Sequence, residues 1–96
     1  MSDKELYRQK MKAQLDELKA DVDKLRAKAS GASTDAQLKL SQHVKDLEVR
    51  IDEGKVKLTA LADVSADRWD TVKEGFESVW KSLKSSVKDV SAKFKN

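Results

Sequence analysis

An all-α fold is expected from three properties of this chain. Its 96 residues hold no Pro and only three Gly, and they are rich in Ala, Lys, Leu, Asp, Glu and Gln, a composition that favours helix over long windows. Apolar residues recur at alternating spacings of four and three, the heptad rhythm of helices packed side by side. The C-terminal third carries an 11-residue repeat: Trp69 to Val79 is followed without a gap by Trp80 to Val90. Trp69 matches Trp80, Val72 matches Leu83, Phe76 matches Val87 and Val79 matches Val90. Eleven residues make three helical turns with little drift, so the repeated positions stay on one face. These patterns predict an antiparallel helical hairpin over 1–64 and an amphipathic helix over 65–96, together one structural unit.

The first helix opens on Ser2-Asp3-Lys4-Glu5, which reads as a capping box: the Ser2 hydroxyl accepts from an orphan amide while Glu5 reaches back. Its seam is Met11, Leu15, Leu18, Val22, Leu25 and Ala29. Asp16–Lys19, Asp21–Lys24 and Asp23–Arg26 are spaced to pair along its flanks, each for a few tenths of a kcal/mol. Ser30-Gly31-Ala32-Ser33 breaks the pattern, and Gly31 is suited to the αL conformation that ends a helix. Thr34-Asp35-Ala36-Gln37 resembles a second capping box. A connection this short folds the next helix back antiparallel. The second seam is Leu40, Val44, Leu47, Ile51, Gly54, Leu58 and Leu61. Near residue 65 two outcomes stay open. Ser65 is placed to cap a third helix, with Asp67 favourable against its positive end, and three helices of about 40 Å each would suit an up-down-up bundle. With neither Pro nor Gly there, a single helix from 35 to about 93 is the competing arrangement.

Composition limits how such helices are stabilised. Charged residues make up 39% and aromatics 5%, so burial must come from long seams or from association with further copies. Twenty basic side chains against 17 acidic ones give a net charge of only +3, the mixing expected of a solvated, ion-paired helix surface. The seam residues Leu15, Leu18, Val22, Leu25, Leu47, Ile51, Leu58 and Leu61 are the candidate packing and self-association set. A second pattern points the same way. Leu6, Ala13, Ala20 and Ala27 recur every seven residues opposite the first seam, and Val49 and Val56 do so on the second helix. Ala is simply a good helix former on a wet face. Val is a poor one, so the pair of Val residues suggests a helix packed on two sides.

Catalytic chemistry is not visible. Zero Cys excludes disulfides, thiolates and Cys-based metal sites. His43 has no second His or tight carboxylate cluster beside it, which is the pattern of an exposed or half-buried helix residue rather than a metal ligand or base. Asp16-Glu17 and Asp52-Glu53 are adjacent in sequence and diverge by about 100° on a helix. Ser78, Ser82, Ser85, Ser86 and Ser91 lack a base partner and a strand–turn–helix elbow, and the isolated Gly residues form no phosphate cradle. No enzyme activity, cofactor, metal or small-molecule substrate is expected. The N-terminus has no apolar secretory region, and no stretch approaches 18 uncharged apolar residues. A cytoplasmic protein, at most peripheral at a membrane, is the expectation.

The C-terminal segment carries the strongest interaction signal. Trp69, Val72, Phe76, Val79, Trp80, Leu83, Val87, Val90 and Phe94 form one broad apolar face, flanked by Lys73, Lys81, Lys84, Lys88, Lys93 and Lys95. A basic amphipathic helix with Trp and Phe fits an anionic membrane surface; the same face equally fits the packing surface of a bundle. Half-burying nine such side chains, at roughly 1–1.5 kcal/mol each, is worth on the order of 10 kcal/mol before ordering costs. Nucleic acid is disfavoured, because the aromatics belong to the apolar face and leave no stacking platform.

Three segments carry a family resemblance: Lys4-Glu5-Leu6-Tyr7-Arg8-Gln9-Lys10-Met11-Lys12-Ala13-Gln14-Leu15, Val22-Asp23-Lys24-Leu25-Arg26-Ala27-Lys28-Ala29, and Trp69 with Lys73-Glu74-Gly75-Phe76-Glu77-Ser78-Val79-Trp80 and Leu83. They resemble the small bacterial coiled-coil proteins described as stress-response proteins, over nearly the whole chain. Where that family carries Gly before the first Trp segment, Ser65-Ala66 stands here. The resemblance implies a stress-linked, non-catalytic role and no catalytic residues. In period alone, the 11-residue repeats resemble those of exchangeable apolipoproteins and desiccation-protective proteins. The expected function is that of a self-associating structural or interaction protein, with peripheral membrane binding as the alternative.

Overall fold

The two heptad seams and the 11-residue repeat become three helices in the computed structural model, which describes residues 2–28 and 31–94. They are α1 (Asp3–Lys28), α2 (Thr34–Ala60) and α3 (Trp69–Lys93), with a 3₁₀ turn at Leu61–Asp63 after α2. No strand occurs among the described residues. The seam position expected at Ala29, the break at Ser30 and the flanking Lys95 lie outside the described residues.

Two of the three helix starts are capped by a serine hydroxyl and the third has no side-chain cap. At α1 the expected cap forms: the Glu5 amide donates to the Ser2 hydroxyl at 3.2 Å. At α2 the cap is one residue earlier than expected. Ser33, extended at φ −62° and ψ 161°, accepts from the Ala36 amide, while Thr34 is already helical. Gln37 turns back to the Ala32 carbonyl at 3.1 Å. A capping residue must be extended, and Ser33 is the residue that meets this condition. Gly31 also departs from expectation: no described Gly has positive φ, so it does not take the αL conformation that ends many helices.

At α3 the expected Ser65 cap does not form. Val64 is extended at ψ 132°, and residues 66–68 form a turn in which the Ser65 carbonyl, not its hydroxyl, accepts from the Arg68 amide. Helix resumes at Trp69 with no side-chain cap, and Asp70 rather than Asp67 occupies its first turn, where a negative charge favours the dipole. The unbroken helix from 35 to 93 is therefore absent. It would have run nearly 90 Å at 1.5 Å per residue with the whole apolar face of its second half bare. Turning back allows that face to be buried, and the molecule measures 52 × 20 × 18 Å.

Contacts along the helices give their directions. Between α1 and α2, Arg26 pairs with Glu48 and Asp16 with Lys55, so rising numbers on one meet falling numbers on the other. Both acid–base contacts cross between helices, whereas Asp16 and Arg26 were expected to pair along α1; the facing helix offers these long side chains a partner over the seam. Between α2 and α3 the order again reverses: His43 meets Phe94 and Arg50 meets Ser82 and Ser86. Tyr7 near the start of α1 meets Trp69 and Phe76 near the start of α3.

One buried cluster draws on all three helices and contains every predicted packing residue: Leu15, Leu18, Val22, Leu25, Leu47, Ile51, Leu58 and Leu61. No polar or charged residue is buried among the described residues. Gly54 sits in this core, where a methyl group on it would meet Leu15 Cδ2 at 3.4 Å. Gly75 on α3 is exposed, with nothing within 4 Å of such a methyl. Gly75→Ala is expected to stabilise the protein by about 0.5–1 kcal/mol, the helix-interior cost of Gly relative to Ala. Gly54→Leu should destabilise by about 1–3 kcal/mol through overpacking. Denaturant unfolding of the two variants checks both signs.

Candidate functional site

The apolar face of α3 was the sequence's foremost interaction candidate, and the fold divides it. Phe76, Leu83, Val87 and Val90 are buried. Trp69, Val72, Trp80 and Phe94 are half-buried and packed against the core, and Val79 is half-buried outside that packed group. The central positions of the 11-residue repeat thus meet the seams of α1 and α2, while the wider aromatics cover the rim. Neither indole stands free in solvent. The candidate lipid-binding face is, in this structure, chiefly a helix-packing face.

One end of the molecule gathers its aromatic side chains around Tyr7. The Tyr7 ring stands edge-on to Trp69 at 5.7 Å and to Phe76 at 6.4 Å. The Lys73 ammonium lies 4.8 Å over the Tyr7 ring, and Lys4 lies 5.5 Å over Trp69, within the range of cation–π attraction. Lys4 also donates to the Val64 carbonyl in the connection before α3. The Tyr7 hydroxyl donates to Glu77 Oε1 at 3.3 Å. Burial, followed by the charge of Glu77 and its acceptance of the phenol hydrogen, pushes the Tyr7 hydroxyl from its ordinary 10.0 up to about 12. This cluster holds α1 to α3. Seam counting does not reveal it: stepping back by three from Met11 lands on Arg8. Tyr7 stands four residues before Met11 and faces α3 instead.

The remaining polar features join helices. Arg50 donates to Ser86 Oγ at 2.7 Å and to Ser82 Oγ at 3.1 Å, so two serines with no evident role in the sequence receive the α2 guanidinium. Their spacing of four residues places them on one face of α3, the only signal that could have paired them. His43 is half-buried, with its ring 6.2 Å from Phe94. An open groove of about 450 Å³ between α1 and α2 brings Glu5, Arg8, Lys12 and Lys55 together with Leu58 and Thr59. Its lining is of mixed charge, with one acidic and three basic side chains beside Leu58. Among the described residues, no group of three or more His, Asp or Glu side chains is placed to hold a metal ion.

What the core leaves uncovered is more distinctive. Leu38, Val49 and Val56 on α2 are exposed to 60%, 55% and 71%, and Leu6 on α1 to 50%. Val49 and Val56 were marked by the sequence; Leu38 was not, because it lies eleven residues before Val49, outside a seven-residue count. Ala13, Ala20 and Ala27 on α1 are exposed as well. Among the described residues, the uncovered large apolar side chains thus concentrate on the outer face of α2. No helix among the described residues is long and apolar enough to cross a membrane. Comparison with protein-family models, curated proteins and solved structures finds no match to this chain.

The single Tyr provides a direct readout of the aromatic end. Folding favours the neutral phenol, so the contribution of Tyr7 to stability is complete below pH 10 and is lost as the pH rises toward about 12. Ultraviolet titration of the folded protein should give a tyrosinate midpoint near 12, against about 10 in denaturant. Glu77→Gln should lower the folded midpoint. A folded midpoint of 10 would mean that Tyr7 is free in solvent.

Proposed function

We propose that this protein is a non-enzymatic helical interaction protein that self-associates through helix–helix contacts, with an up-down-up three-helix bundle as its working unit. Its setting, on this reading, is a stress-associated one, as the resemblance of its three segments to small bacterial coiled-coil proteins implies, and a cytoplasmic one, as the composition of the chain suggests. The observation that carries the self-association is the exposed row Leu38, Val49 and Val56 on α2. Val is a poor choice for a solvated helix face, and the intrachain seams are already filled without these residues.

Peripheral membrane binding through α3 is the second reading, favoured by half-buried Trp69, Val79 and Trp80 beside Lys73, Lys81 and Lys84. It requires α3 to leave the core, exposing Phe76, Leu83, Val87 and Val90. At roughly 1.5–3 kcal/mol for each fully buried side chain, a bilayer must replace several kcal/mol of packing. The basic flank alone supplies little of that, so self-association is preferred.

Light scattering with and without anionic vesicles separates the two readings. A defined oligomer that ignores vesicles is expected. A strict monomer at tens of micromolar would remove the self-association, and a blue shift of Trp fluorescence on vesicle addition would support the membrane reading instead.

A further inference from the structure

On α2, Leu38 and Val49 are separated by eleven residues and Val49 and Val56 by seven, so all three lie within about 20° of one line along the helix. Gln42, Lys45 and Asp52 complete that line. The series Leu38, Gln42, Lys45, Val49, Asp52, Val56 advances by four, three, four, three and four, and every member is exposed. This is seam spacing on the face opposite the buried seam. Between Val49 and Val56 the surface forms a shallow depression of about 400 Å³ bordered by Asp52, Glu53 and Lys57.

The charges along the row identify the occupant. Lys45 precedes Val49, and Asp52 with Glu53 follows it. A second copy laid parallel and in register would set Lys45 on Lys45 and Asp52 on Asp52. Inverting the second copy sets Leu38 against the partner's Val56, Gln42 against the partner's Asp52, and the Lys45 stem along the partner's Val49. The Lys45 ammonium is then within one helical turn of the partner's acidic pair. Each of these contacts occurs twice about a two-fold axis, so the assembly closes as a dimer and does not extend. An anionic bilayer fits this face poorly, because Asp52 and Glu53 flank Val56.

We infer that two copies of this chain pair antiparallel through the outer faces of their α2 helices, in the register that sets Leu38 against the partner's Val56. The inference rests on the self-association reading and gives it a surface, an orientation and a register. The contact spans about 27 Å of helix and involves fewer than the 20–30 residues per side of a standard interface. The dimer therefore dissociates on dilution, and the partner charges set its orientation more than its strength.

The test uses the full chain in sedimentation equilibrium over a wide concentration range, with circular dichroism to verify folding. Val56→Lys, at an exposed site where Lys is the better helix former, should keep the helical signal and abolish the dimer. Lys45→Glu should raise the dissociation constant roughly tenfold, and adding Asp52→Lys and Glu53→Lys to it should restore binding. Because the chain has no Cys, Leu38→Cys and Val56→Cys variants report the register. Mixed and oxidised, they should cross-link to each other and not to themselves. A wild-type dimer indifferent to Val56→Lys and Lys45→Glu overturns this surface but leaves self-association standing. Self-cross-linking of the Leu38→Cys variant overturns the antiparallel register. A wild-type monomer throughout overturns both readings, and Val56-dependent binding of that monomer to anionic vesicles would assign the face to lipid.

Discussion

Everything in this molecule depends on the apolar face of α3 finding cover. The α1 and α2 seams are narrow rows of Leu, Val and Ile, and two such rows leave one side of each open. Leu83 on the last helix is only 1% exposed, as little as Leu15 on α1 and Ile51 on α2. All three belong to one cluster. With aromatics at 5% of the chain, burial rests on continuous packing along the whole length of the helices rather than on a few large residues. The elongated shape follows, because three slender stripes share one long, thin core.

That constraint explains where the connections fall. A helix does not need Pro or Gly in order to end; it ends where continuing would expose more apolar surface than turning back. After Leu61 is buried, the next residues take a 3₁₀ turn and then extend at Val64, whose carbonyl receives Lys4. Lys4 thus links the start of the chain to the connection that redirects α3. The aromatic contacts of Tyr7 with Trp69 and Phe76 hold the same end, and Arg50 with Ser82 and Ser86 joins α2 to α3 farther along. The core is apolar throughout, so these polar contacts orient the helices at their margins, where water screens them and each contributes modestly.

The division of surfaces bears on function. A face that reads in isolation as a membrane-binding helix is largely consumed by intrachain packing, whereas a row of merely moderate hydrophobicity on α2 remains open. Amphipathicity states that a helix must be covered on one side; it does not state by what. Neighbouring helices in the same chain lie at high effective concentration and need no separate encounter, so they take the strongest stripe first. A partner, of whatever kind, meets the stripe left over.

Taken alone, the sequence determined the helical class, the described residues of each seam, the α1 cap at Ser2 and the face shared by the 11-residue repeats. Each of these depends on spacing within one helix, where geometry follows from residue number. It came within a residue for the α2 cap, because Ser33 and Thr34 are chemically alike and only their backbone angles separate them. Tertiary structure alone decided that the chain turns between residues 61 and 68, that Asp16 and Arg26 pair across helices, and that Tyr7 joins the Trp69 end. It also decided which apolar row stays uncovered. Those outcomes depend on distances between segments remote in sequence, which no local period encodes.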